Sequence, residues 1–171
     1  MISEEVKDYA WSELLELDKH VRYYGELASR NQRKHSILQF AVFFLSMAVP
    51  AVASVYSPPL WIVLIAGLAT AACVAWDYMS GHASKAALLH GISVDCERLE
   101  VEQRELFHSI NRDGIDESDA REKLAYLANR TIETVSRAGT ARVIVDETLN
   151  AKCWEAANRV LLKAREEPQN A

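Results

Sequence analysis

Two patterns alternate along this chain. Between Ser36 and Trp76 there is no Asp, Glu, Lys or Arg, whereas on either side apolar residues recur every three or four positions among charged ones. Tyr56-Ser57-Pro58-Pro59 cuts the uncharged stretch near its middle. A helix needs roughly 20 mostly apolar residues to cross about 30 Å of hydrocarbon, and Ser36 to Tyr56 and Leu60 to Tyr78 each supply that length. The pattern predicts a transmembrane hairpin over residues 36–78. Pro58 and Pro59 cannot continue a helix and restrict the residue before them, which makes the reversal tight. Pro50 falls inside the first span, where a bend is tolerable if a neighbouring helix, Ser46 or Ser54 satisfies the freed carbonyl.

The flanks carry the helical period. Ala10, Leu14, Leu17, Val21, Tyr24 and Ala28 form one seam, and Leu89, Ile92, Cys96, Leu99, Gln103, Leu106 and Ile110 form another, with Cys96 and Gln103 as its weak points. No Pro or turn cluster interrupts either run, so both helices are expected to be continuous with the spans. The simplest packing sets the seams antiparallel, as a cytoplasmic stalk. Asn111-Arg112-Asp113-Gly114 reads as a turn. A third helix is expected from Asp116–Asp119 to a cap at Gly139, with Leu124, Leu127, Ala128, Thr131, Val135 and Ala138 inward. A fourth is expected over Val145 to Arg165, burying Val145, Leu149, Cys153, Ala157, Val160 and Leu161; a short strand at Arg142–Val145 is the alternative. The fold class is thus all-α. Its parts are an N-terminal amphipathic helix (1–35), the hairpin (36–78), a return helix (79–112) and a C-terminal helical region (113–171).

Composition alone conceals the hairpin, because 25% of the residues are charged and the mean hydropathy is near zero. Charge does orient it. Arg30, Arg33 and Lys34 stand directly before the first span and Lys85 follows the second, while the connecting turn has no charge, so both termini are expected in the cytoplasm. Tyr56 and Trp61 at one end and Trp76 and Tyr78 at the other suit the two headgroup layers. The apolar stretch begins too far along the chain for a secretory signal. A net charge of −5 argues against a general nucleic-acid binder. Cys73, Cys96 and Cys153 are odd in number and widely spaced, which argues for reduced thiols over a disulfide framework or zinc.

No catalytic pattern is present. The five histidines (His20, His35, His82, His90 and His108) lack metal-ligand spacing, the glycines are scattered, and Glu4-Glu5 and Asp146-Glu147 suit helix starts. The chain is not expected to be an enzyme or to need a cofactor. His35 and His82 mark the cytoplasmic membrane surface, where they could also respond to pH. Gln39, Ser46, Pro50 and Ser54 share one side of the first span, and Gly67, Thr70, Cys73 and Asp77 one side of the second. Such stripes either line a pore shared by several copies or let helices pack closely. Gln39 should face protein or a channel, because an amide in lipid is costly. Arg30, Arg33 and Lys34 could also hold anionic headgroups. Arg130, Arg137 and Arg142 form a candidate contact for a phosphate-bearing ligand, with solvated surface charge as the plainer alternative.

The layout resembles a known group. A long N-terminal helix containing Arg22-Tyr23-Tyr24 and Ala28-Ser29-Arg30, a tight two-span hairpin and a long return helix are similar, over Trp11 to Ile110, to the SLATT group of bacterial two-transmembrane effectors. The resemblance implies a homo-oligomeric effector of the inner membrane that forms a pore or perturbs the bilayer in anti-phage defence, triggered by a nucleotide second messenger or a partner protein. The alternative of a different class is a membrane-anchored coiled-coil scaffold that moves no ions.

Overall fold

The structure is a computed structural model that describes residues 2–56, 59–112, 114–140 and 145–166. Among these the chain is all-helical, with α1 (Glu4–Tyr56), α2 (Leu60–Ser80), α3 (His82–Asn111), α4 (Glu117–Thr140) and α5 (Glu147–Glu166). It divides into two compact units. One joins Met1–Glu26 to Leu88–Ala171, and the other is Leu27–Ala87.

The first unit is a four-helix bundle whose directions can be read from pairs of contacts. Gln103 Nε2 donates to the Ala10 carbonyl (3.2 Å) and Ser93 Oγ to the Val21 carbonyl (3.0 Å), which sets α3 antiparallel to α1. Arg137 reaches Asp95 and Arg130 approaches Glu102 (3.9 Å), so α4 runs antiparallel to α3. Lys19 lies over the Trp154 ring, and Tyr23 Oη accepts from the Asp146 N–H (3.0 Å), so α5 runs antiparallel to α1. The result is an up-down-up-down bundle.

Its core is the one that helical periodicity demands. Ala10, Leu17, Leu99, Leu106, Ile110, Ala120, Leu124 and Leu127 form one buried cluster, and Leu14, Leu15, Ala157 and Leu161 a second. Every position of the second predicted seam is buried, Gln103 among them at 1% exposure. Its hydrogen bond crosses to the carbonyl of a small residue of the facing helix, Ala10, so the polar seam position is satisfied.

Three expectations need correction. The second span and the return helix are separate elements, because Gly81 adopts the left-handed conformation (φ 60°, ψ 33°) and its N–H caps Asp77 O at 3.1 Å. Glycine alone takes this conformation without a Cβ penalty. Val145 and Val160 are exposed rather than buried. Val145 precedes the first turn of α5, and Val160 sits beside Leu161 on the outward flank. Gly139 lies inside the last turn of α4 and does not cap it. Thr134 was not among the predicted inward residues, yet it is buried. The strand alternative rests on Arg142 to Ile144, which lie outside the described residues.

The starts of α4 and α5 are held by polar contacts. Asp146 Oδ1 accepts from the Leu149 N–H (3.0 Å), capping α5. Glu117, in the first turn of α4, accepts from both the N–H and the Oγ of Ser3 (3.1 Å each) and is paired with Arg121. These bonds, with Arg121 foremost, hold the Glu117 carboxyl below its usual range.

His20 gives this unit a pH dependence. Its ring stacks against Tyr24 with centroids 5.9 Å apart, and its buried Nδ1 has no hydrogen-bond partner among the described residues. Burial first, and Lys19 second, hold the imidazole below its ordinary value. The unfolded chain, titrating at about 6.5, then binds a proton that the folded chain refuses. Stability is therefore expected to fall as pH drops through that value, and His20→Phe should flatten the slope. Unfolding midpoints on both sides of it check this, and an unchanged slope in the variant would count against it.

Candidate functional site

Within Leu27–Ala87, α2 runs back along the second half of α1. His35 Nδ1 meets Asp77 Oδ2 at 2.8 Å, and His82 Nδ1 meets Asn31 Oδ1 at 3.3 Å. Half-buried residues at three- and four-residue spacing mark the facing sides: Asn31, His35, Leu38, Val42 and Leu45 on α1, and Val63, Ala66, Thr70, Cys73 and Asp77 on α2. Much of the remaining described surface is apolar. Ile37, Phe40, Phe43, Phe44 and Met47 are exposed on α1, as are Leu60, Trp61, Leu64, Ile65, Leu68 and Trp76 on α2. No residue of α2 is buried, although a helix starting at Leu60 is long and apolar enough to cross a membrane. An apolar surface this continuous is foreign to a protein standing alone in water.

The candidate lining residues divide between two surfaces. Thr70 and Cys73 lie in the seam between the helices, and the Thr70 hydroxyl is satisfied within its own helix by Ala66 O (2.9 Å). Gln39, Ser46 and Gly67 are on the outside. Ser46 donates to Phe43 O (2.9 Å), and a Cβ built on Gly67 would meet nothing within 4 Å. The Ser54 side chain lies outside the described residues.

The polar end of the pair is where its chemistry gathers. Asp77 is the only carboxylate between Leu27 and Ala87. One of its oxygens engages His35, while Oδ1 is buried with no hydrogen-bond partner among the described residues. A proton on the imidazole turns this hydrogen bond into an ion pair. The juxtaposition of His35 with Asp77 was not drawn from the sequence. A signal for it existed, since the two residues lie at comparable separations on either side of the turn that the sequence predicts at Ser57-Pro58. Arg30, Arg33 and Lys34 are exposed on α1 at this end, and Lys85 is half-buried just past Gly81.

In the bundle, the two described members of the predicted arginine group, Arg130 and Arg137, each stand beside an acid of α3. Arg137 is paired with Asp95 and also donates to Thr134 O (3.4 Å). Arg130 lies 5.8 Å from the Tyr126 ring centre, close to Glu102. Arg142 lies outside the described residues.

A second polar group, missed in the sequence, lies deeper in the bundle. Asp18 and Glu100 are both buried carboxylates. Asp18 holds Arg22 through two hydrogen bonds (2.7 and 3.1 Å), and Glu100 holds Arg104. Burial pushes the Glu100 carboxyl up, and Arg104 pulls it back. Each acid has its cation one turn along the same helix. The three cysteines are thiols rather than disulfides, and burial with Asp95 pushes the Cys96 thiol up to about 11, away from the reactive thiolate. Among the described residues, no three His, Cys, Asp or Glu side chains converge as metal ligands. No family model matches the chain, and neither a curated protein nor a solved structure matches it.

Proposed function

We propose that residues 36–78 span the bacterial inner membrane as a hairpin with both termini in the cytoplasm, and that the protein is a SLATT-like effector. Its copies assemble in the bilayer and open a permeation path when the helical bundle receives a signal, a nucleotide or a partner protein. The observation that carries this reading is the bareness of α2: the most apolar element of the fold buries none of its residues. A core helix of a soluble protein would be covered; a membrane helix is covered by lipid.

Gln39 supports assembly. It is exposed on α1 within the uncharged stretch, where an amide facing hydrocarbon is costly. A neighbouring copy covering Gln39 and Ser46 removes that cost, and the same residues offer polar groups to a shared axis. Thr70 and Cys73, inside the hairpin, serve the packing of its two helices. A signal shifts the assembly only by binding one of its states better than the other.

Dye entry and membrane potential in expressing cells test the proposal. Wild-type protein is expected to permeabilise the inner membrane once activated, and Gln39→Leu to abolish that while keeping expression and membrane location. Full activity of Gln39→Leu, or a strict monomer in nanodiscs with no permeability in any condition, would overturn it in favour of the scaffold.

A further inference from the structure

We infer that the polar end of the hairpin is a binding site for an acidic glycerophospholipid of the cytoplasmic leaflet. The inference rests on the membrane reading above. Between Leu27 and Ala87 the bases Arg33, Lys34 and Lys85 share the segment with a single carboxylate, Asp77, although the chain as a whole carries a charge of −5. That carboxylate is engaged by His35. Arg33, Lys34 and Lys85 have no acidic partner among the described residues, so their charge is uncompensated. Orientation in the membrane needs only a basic bias near the spans. The site requires more, and the arrangement along α1 supplies it.

Arg30, Arg33, Ile37, Phe40 and Phe44 follow one another at three- and four-residue spacing, so the basic strip runs directly into an exposed apolar strip on the same side of one helix. Phe40, at 72% exposure, is among the barest apolar residues of the fold. From Arg33 to Phe40 is about 10 Å along the axis at 1.5 Å per residue. That order, phosphate-binding cations and then apolar side chains along the bilayer normal, matches the order of groups in a phospholipid. Arginine adds the planar fork that grips phosphate oxygens in pairs, and Lys34 adds a point charge beside it. Trp76 and Tyr78, both exposed on α2, suit the same headgroup layer. A soluble phosphate would use the cations and leave the apolar strip idle, so the occupant is a lipid.

The intact protein is to be reconstituted into vesicles of phosphatidylcholine alone and of phosphatidylcholine with phosphatidylglycerol, scored for incorporation by flotation, and then examined for retained lipid by native mass spectrometry. Incorporation into both vesicles with preferential retention of phosphatidylglycerol is expected. Removing two surface cations, as in R33Q/K34Q, should lower that preference about thirtyfold at low ionic strength. R33K should keep most of it, and K152Q/R159Q, an equal charge change in the other unit, should leave it unaltered. Equal preference in R33Q/K34Q and wild type would overturn the site, as would equal displacement by soluble glycerol phosphate. Failure to enter either vesicle would remove the membrane reading itself, a result distinct from entry without lipid preference.

Discussion

Leu68→Arg is expected to strip the protein from membranes. Leu68 lies near the middle of α2 and is 70% exposed, on the side turned away from His35 and the facing seam. Arginine at the centre of a membrane helix costs about 2.5–3.5 kcal/mol on insertion scales, where leucine is favourable, so insertion should fall more than a hundredfold. On the surface of a soluble helix the same change would be nearly neutral, since Arg and Leu have similar helix propensities and no contact is lost. The sign of the effect thus separates two solvents. The measurement is the fraction of protein that needs detergent for extraction, with Leu68→Ala as control. Wild-type protein and Leu68→Arg both soluble and monodisperse without detergent would end the membrane account.

Leu99→Ala should produce the largest loss of stability in the bundle. Leu99 is 2% exposed in a cluster with Leu17, Leu106, Ile110 and Leu124, contributed by three helices. Truncating a leucine in such a place removes its transfer energy and leaves a cavity, together about 2–5 kcal/mol. Val101 on the same helix is 55% exposed, so Val101→Ala should change stability by less than about 0.5 kcal/mol. Denaturation in detergent, followed by tryptophan fluorescence, distinguishes the two if Trp61 and Trp76 are replaced by phenylalanine. The remaining Trp11, beside the Phe107 ring at 5.5 Å, and Trp154, beneath Lys19, both report on the bundle. Equal effects of the two substitutions would mean that the bundle core is not the cooperative unit.

The legible part of the fold is the part encoded by period. Both seams were readable because helical spacing leaves apolar residues no other face to share, and even Gln103 keeps its place in that rhythm. Helix ends were read less well. Gly81 stops α2 with neither a proline nor a turn cluster to announce it, since one residue in the left-handed conformation suffices. Val145 and Val160 fall on the predicted inward face by helical spacing, but only the position of the neighbouring helices decides which flank of an amphipathic face is covered. The candidate site was legible as residue types and not as a constellation. His35, Asp77, Asn31 and His82 are as much as 51 positions apart and meet through antiparallel pairing.

By itself the sequence determined that the chain is helical, that an uncharged stretch is broken by two prolines, and where the amphipathic helices bury their seams. Each is a local matter of spacing, charge and backbone restriction, and local rules act on neighbours along the chain. The tertiary structure decided the rest: the order of helices in the bundle, the pairing of His35 with Asp77, and the outward position of Gln39 beside the inward position of Thr70. Those depend on the rotation of one helix against another. Rotation is set by the sum of many contacts across the interface, and no single stretch of sequence contains that sum.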